Sequence, residues 1–370
     1  MALLSAFKVS LTFGDISQDI TDIVKNVGIS ESIHGDLSGY MQIMDGANVL
    51  DTFIHTNNKV IIEYIYKGLT TTNAFYLDGV KNINLTNQTH KEYTIELVSI
   101  NNMINGLTTI SKVFTGRTSD MIAKIYKDKF GDGSLHIATH TKNNGKYIAP
   151  NINPKTILKL LLLNSYDEET RPMFLYQKAV DGGITVLESL SDMSSKDPMF
   201  AITTESIDNP NGNAGIGVAS EVIVTSSYTN NVMKSNLGVY GKTYSIFDVE
   251  NSKFSKITTG DTIGSLEIER LYRKDLYGDS AIPLLNNGDV GSVDTCMRDR
   301  VQSFSIKTRA IGVDAIPLLS VGIVIELKSG SSKTNSSKHD GNYLVAGVEH
   351  NITVDGPDRM YTQDVELIRR

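Results

Sequence analysis

Residues 41–64 (MQIMDGANVLDTFIHTNNKVIIEY) slide without a gap onto residues 304–327 (FSIKTRAIGVDAIPLLSVGIVIEL), and the reading of this pair decides the fold. Ile43, Ala47, Asp51, Ile62 and Glu63 then meet Ile306, Ala310, Asp314, Ile325 and Glu326. Further on, 75–80 (FYLDGV) meets 343–348 (YLVAGV), and 95–98 (IELV) meets 365–368 (VELI). The length differences fall in the Ser/Lys stretch 329–340 and the turn Asp355-Gly356-Pro357-Asp358, where loops absorb them. Identities are few, but apolar periodicity and loop placement agree. One domain type used twice in a chain predicts a protein that builds symmetry.

At 370 residues, two or three domains are expected, each able to bury its own core. Abundant Asn, Thr and Ser with no Trp and few Pro suits strands joined by polar turns. A formal charge of −7 argues against a nucleic-acid binder, which needs a basic stripe, and fits a surface past which DNA slides. The lone Cys296 forms no intrachain disulfide and reads as a small helix-face residue. Residues 1–8 have neither the basic start nor the sustained apolar run of a signal peptide, and 157–163 is too short to span a bilayer. A soluble protein made in a cytosol is expected.

Period-two alternation predicts strands at 7–13, 22–32, 39–45, 59–67, 73–83 and 91–101, with turns such as Gly35-Asp36 and Asp45-Gly46 between them. The period then changes. Thr118-Ser119-Asp120 is expected to cap a helix that runs to about Phe130 and ends at Gly131-Asp132-Gly133. A second helix should begin at Pro154, and 174–179 with 183–188 should form a hairpin around Asp181-Gly182. Residues 205–217 read as a loop, and 221–228 (EVIVTSSY) resembles the first strand of the chain. A further helix is expected over 293–302. The fold class expected is α+β and β-rich, with two similar antiparallel β-barrel or sandwich domains and an intervening α+β domain. The boundaries are 1–113 for the first β domain, 114–205 with 236–300 for the α+β domain, and 206–235 with 301–370 for the second β domain.

Motifs for chemistry are weak. Asp128 and Asp132 echo a calcium loop that lacks two oxygen ligands, because Phe130 and Thr139 stand in their places. His136 and His140 lie four apart without a third ligand pattern, and the glycines at 212–217 precede a strand where a phosphate cradle needs a helix. Acidic groups such as Asp167-Glu168-Glu169 and Asp19/Asp22 read as solvated turns or caps, and Tyr64, Tyr66, Tyr76 and Tyr93 as cross-strand core residues. No catalytic residue, metal or cofactor is assigned. Glu63 with Glu326, and Glu96 with Glu366, stand out because they recur in both copies. They read as edge-protecting charges, or as residues that face a neighbouring subunit or a lumen.

Residues 28–45 (GISESIHGDLSGYMQIMD) resemble the opening of the baseplate hub proteins of contractile-tailed phages, a family related to the N-terminal part of type VI secretion spike proteins. In that family a short Ser-Ile strand turns at Gly and leads into a strand ending in Asp. Residues 341–352 and 362–368 resemble its closing hairpin, and the order of parts agrees over nearly the whole chain. The resemblance implies a homotrimer whose paired tube-like domains make a pseudo-hexameric ring. That ring would join the sixfold tail tube to a threefold central spike, with the tape measure and other baseplate proteins as neighbours. DNA would pass through without specific binding, and nothing would insert in a membrane. The expected location is the virion tail, assembled in the host cytoplasm. Alternatives are a type VI secretion spike, a siphophage tail-tip protein and a glycan-binding tail protein; the last would favour a carboxylate pair in a Trp/Tyr-lined cleft.

Overall fold

The computed structural model describes residues 2–46, 58–85, 91–199, 201–203, 216–219, 221–226, 242–248, 253–259, 269–273, 306–314, 318–328 and 340–369. The expected helix at 293–302, Cys296 and most of the loop at 205–217 lie outside them.

The first part of the chain folds as β1 (Ala2–Leu3), β2 (Ala6–Phe13), β3 (Ile16–Asp19), β4 (Val24–Ser32), β5 (Ser38–Asp45), β6 (Lys59–Tyr66), β7 (Leu69–Leu85) and β8 (Lys91–Ser99). Alternation makes these strands: in β6, Val60, Ile62, Tyr64 and Tyr66 are buried and the residues between them are not. They hydrogen-bond in the order β4-β5-β8-β7-β6-β2-β3.

The middle of the chain changes period. β9 (Ile110–Arg117) pairs with β11 (Asn144–Ile152), and β10 (Leu135–Ile137), β12 (Met173–Lys178) and β13 (Ile184–Ser189) form a second small sheet. Over these lie the helices Thr118–Lys129 and Pro154–Leu163. Met121, Ile122, Ile125 and Tyr126 make one stripe on the first helix and pack with Ile157, Leu158 and Leu161 of the second. The first helix is not capped by its own Thr118, which is already helical. Its Ser119 amide instead donates to the Thr141 hydroxyl at 3.0 Å, and the Thr118 amide to the Asn143 carbonyl at 3.2 Å. Gly131, at φ 109°, closes the other end by donating to the Tyr126 carbonyl.

The last part comprises β14 (Ala201–Thr203), β15 (Ile216–Val218), β16 (Glu221–Ser226), β17 (Lys242–Asp248), β18 (Lys253–Thr259), β19 (Glu269–Arg273), β20 (Ile306–Val313), β21 (Val324–Lys328), β22 (Gly341–Asp355) and β23 (Asp358–Arg369). β17, β18 and β19 form their own sheet. The other strands pair in the order β16-β20-β23-β22-β21-β14-β15. That order repeats the first, strand for strand. Two pairings differ in sense, since β14 runs parallel to β21 and β15 to β14 where β2 and β3 are antiparallel.

The repeat corrects one expectation from the sequence. The strand at 221–226 pairs with β20, so it takes the place of β4 and not that of the chain's first strand. Both copies belong to a single sheet of 15 strands, because β4 bonds β5 on one edge and β22 on the other. The architecture is thus β-rich α+β around a large, mostly antiparallel sheet with two buried apolar clusters against it, and a third between the helices and the small sheets of the middle part.

Candidate functional site

The duplication is held to single-residue accuracy at one feature. In β7 and β8, Leu77 faces Leu97, a bulge follows, and Gly79 faces Glu96. In β22 and β23, Val345 faces Leu367, a bulge follows, and Gly347 faces Glu366. A bulge inserts one residue and turns the strand, and Gly suits the close backbone approach there. Glu96 and Glu366 therefore occupy the same place in the two copies. Glu96 pairs with Lys81 across the strand, and Glu366 lies opposite Arg309.

Glu63 and Glu326 do not coincide in this register. Val60 faces Phe75 and Ile325 faces Tyr343, so Ile325 stands where the sequence alignment puts Ile323, two residues away. Glu63 faces Lys8 and Thr72, whereas Glu326 faces Asn342 and Ala201 and pairs with Lys328 at 2.9 Å. An offset of two keeps the same side of the strand, and both are half-buried on the face away from the core. The strand before is offset further: Met41 faces Ile95 as Ala310 faces Val365, six residues beyond the Phe304 of the alignment.

The seam between the copies is densely hydrogen-bonded. Residues 26–32 of β4 pair with 347–353 of β22. Within that seam Glu31 is wholly buried. Its carboxylate accepts from the Ala179 amide at 2.6 Å, the Ser320 hydroxyl at 2.7 Å, the Val321 amide at 2.9 Å and His350 Nε2 at 3.2 Å. His350 Nδ1 lies 2.7 Å from the Tyr361 hydroxyl, so an imidazole with its hydrogen on Nε2 donates to Glu31 and accepts from Tyr361. Burial alone would raise the Glu31 carboxyl; the His350 contact and the donors from Val321 and Ser320 outweigh it and hold the group below its ordinary value. Burial above all holds the Tyr361 hydroxyl protonated. One carboxylate thus ties β4 to β22, to the segment before β21, and to the β12–β13 hairpin.

Two further contacts reinforce the junction. The Tyr66 hydroxyl, at the end of β6, donates to Asp314 just past β20, and Lys67 reaches the same carboxylate at 2.9 Å. Burial raises the Asp314 carboxyl, but these donors win and lower it. On the helical side, Lys155 meets Asp36 and Asn102, and the Leu37 amide donates to Gln177 Oε1 at 3.0 Å.

The other candidates stay structural. Asp128 pairs with Lys112 at 3.0 Å and Asp132 with Lys127 at 3.5 Å. His140 Nδ1 lies 3.3 Å from the Ser119 hydroxyl, while His136 sits on β10. Asp167 is not a solvated turn residue: it is buried and accepts from the Glu169 and Arg171 amides. Tyr64, Tyr66 and Tyr93 are buried, the first two against Tyr361, whereas Tyr76 is half-exposed beneath Lys59. Among the described residues no group of three potential metal ligands converges.

Glu31 and His350 were missed in the sequence, although a signal was present. Val27, Ile29, Glu31 and Ile33 share one side of β4 and its extension, and Val348, His350 and Ile352 share one side of β22. An ionisable residue in the inward register of each strand marks a buried pair.

No protein-family profile and no curated protein matches the sequence. Solved structures do match. The tail protein from Neisseria meningitidis MC58 superposes with a TM-score of 0.61 at 9% identity, over 98% of this chain and 96% of that one. The 43 kDa tail protein of prophage MuSo2 from Shewanella oneidensis gives 0.59 at 12% identity, over 98% of each. The E. coli c3393 protein gives 0.54 at 10% identity, over 97% of this chain and 76% of that one. That protein is a component of the type VI secretion system with structural similarity to the T4 bacteriophage tail proteins gp27 and gp5. Over nearly its whole length, this chain has the fold of those phage tail proteins and of that secretion-system component.

Proposed function

We propose that the chain is the structural hub of a phage tail baseplate, a homotrimer whose duplicated β units form a pseudo-hexameric ring. The observation that carries this reading is the repeated order of seven strands, β4-β5-β8-β7-β6-β2-β3 and β16-β20-β23-β22-β21-β14-β15, within one chain. Two like units in each of three chains give six near-equivalent positions. Such a ring matches a sixfold tail tube on one side and a threefold central spike on the other. Its work is mechanical: it joins tube to spike and leaves a channel for DNA. It needs no catalytic residue.

In this reading the first β unit comprises 1–113, the second 206–235 with 301–370 together with β14 at 201–203, and the α+β unit the rest of 114–205 with 236–300. Three apolar clusters, one centred in each unit, support the division, although those of the two β units also draw in side chains such as Tyr176 and Ala179 from the α+β unit. Glu96 and Glu366 hold matching ring positions, while Glu63 and Glu326 sit on the same face two residues apart. A lumen that shares the sign of the chain's net charge of −7 would repel the DNA backbone. Light scattering on the purified protein tests the proposal. A mass three times that of the chain is expected; a stable folded monomer would overturn it, and measurable glycan hydrolysis would point to a glycan-active tail protein instead.

A further inference from the structure

The β4–β22 seam is occupied once within the chain, and the duplication supplies its parts a second time. β22 bonds β23 along one edge and takes β4 on the other; β7, its counterpart, bonds β8 over 79–85 and has no partner on its outer edge among the described residues. β4 bonds β5 and β22, whereas β16, its counterpart, bonds β20 alone among the described residues. Among the described residues, each chain therefore presents one strand of the β4 kind and one edge of the β22 kind without a second partner.

We infer that β16 of one chain adds to the outer edge of β7 in a second copy, antiparallel and in the register of β4 on β22. This deepens the hub reading and rests on it. Ring formation alone does not say which edges meet, and the internal seam does.

The register can be carried over residue by residue. The bulge pairs Gly79 with Gly347. A second bulge, between Lys81 and Asn84, carries Asn82 at φ 52° and adds one residue to β7. Beyond it, Asn84 faces Glu92 as Asn351 faces Thr362, so Ile83 stands for His350 and Asn84 for Asn351. On the other partner, Val222 faces Ala310 as Val27 faces Met41, so Ile223 stands for Gly28 and Val224 for Ile29. Since Gly28 faces Asn351 and Ile29 faces His350, Ile223 should face Asn84 and Val224 should face Ile83 in the neighbouring chain. Lys81 would face Thr225, and Val80 would face Ser226.

Exposure agrees. Ile83 is 56% exposed, whereas His350, in the covered copy of the same place, is 0% exposed. An apolar side chain on an open strand edge is what a second strand would cover. The seam's buried Glu31 and His350 correspond to Ser226 and Ile83, so the junction between chains lacks the hydrogen-bonded pair that locks the internal one. The contact is heterologous, head to tail, and closes on itself in a ring of three chains.

The test is disulfide trapping in the full chain with Cys296→Ser. Asn84→Cys with Ile223→Cys places two thiols directly opposite across the junction. On mild oxidation a covalent trimer is expected on a non-reducing gel, and Asn84→Cys with Thr225→Cys, two residues out of register, should link far less. In parallel, Ile83→Lys, a change at an exposed site, should weaken association by roughly tenfold or more by burying a charge. A trimer by light scattering whose thiols at 84 and 223 stay reduced would overturn the strand pairing and leave the hub reading intact. A trimer indifferent to Ile83→Lys would do the same. A folded monomer would overturn both.

Discussion

Glu31 and His350 meet at 3.2 Å across the seam of β4 and β22, both side chains withdrawn from solvent. The pair fixes the internal junction because it cannot be half made. A buried carboxylate with four donors is stable; any donor left without it carries the full cost of desolvation. Glu31→Ala would orphan the Ala179 and Val321 amides, the Ser320 hydroxyl and His350 Nε2 together. The expected loss is about 3–5 kcal/mol on the first unfolding transition in denaturant. Glu31→Gln, which keeps an acceptor, should cost less. A loss below about 1 kcal/mol for Glu31→Ala would show that the carboxylate does not hold the seam.

The same carboxyl sets an acid limit. Its folded value lies below the ordinary 4.5, so it adds stability that is fully present above 4.5 and is lost as pH falls through the lower, folded value. Asp19 and Asp314 are lowered too and act in the same acid window. Thermal midpoints measured from neutral pH down into this range should fall more steeply for the native chain than for Glu31→Gln. Parallel curves would assign acid sensitivity to the aspartates alone.

The bulge glycines give a comparison of the two copies. A Cβ on Gly347 would lie 3.4 Å from the Glu31 carbonyl oxygen and 3.4 Å from Glu366 Cβ, because β4 covers it. A Cβ on Gly79 would meet only Glu96 Oε2, at 3.9 Å. Gly347→Ala should therefore destabilise the fold by about 1 kcal/mol or more, while Gly79→Ala leaves the isolated chain near its native stability. If β16 of a second copy covers Gly79, its alanine variant should instead weaken the trimer, which sedimentation at falling concentration would detect. Equal loss of fold stability at both positions would contradict the difference in cover.

These particulars show which parts of the molecule the sequence could reveal. The match of 75–80 to 343–348 and of 95–98 to 365–368 holds to the residue, because each pair carries a Gly opposite a Glu at a bulge, and a bulge has only one register. The longer ungapped match is displaced by two residues at β6 and six at β5. Alternation has a period of two, so any even slip leaves apolar residues inward and looks as good. Strand 221–226 was legible as a strand, but nothing in its alternation names its neighbour, and its place beside β20 was not. The cap of the helix at Thr118 comes from Thr141, outside any local pattern. Glu31 and His350 break the inward alternation of their strands, yet neither strand alone reveals the other.

Tyr66 and Asp314 supply the last expectation, because they join the copies by a contact other than the Glu31–His350 pair. Tyr66 closes β6 in the first copy and its hydroxyl donates to Asp314, which Lys67 also reaches at 2.9 Å. A hydrogen bond to a charged acceptor contributes more than a neutral one, and Tyr66 is buried, so its hydroxyl has little water to fall back on. Tyr66→Phe should cost about 1.5–3 kcal/mol, and Asp314→Asn somewhat less because Lys67 is partly exposed and regains water. Combined, the two changes should cost less than their sum by roughly 1 kcal/mol, the signature of one shared contact. Strict additivity in denaturant unfolding would mean that the two groups act independently, and that the seam at Glu31 holds the copies together without this second tie.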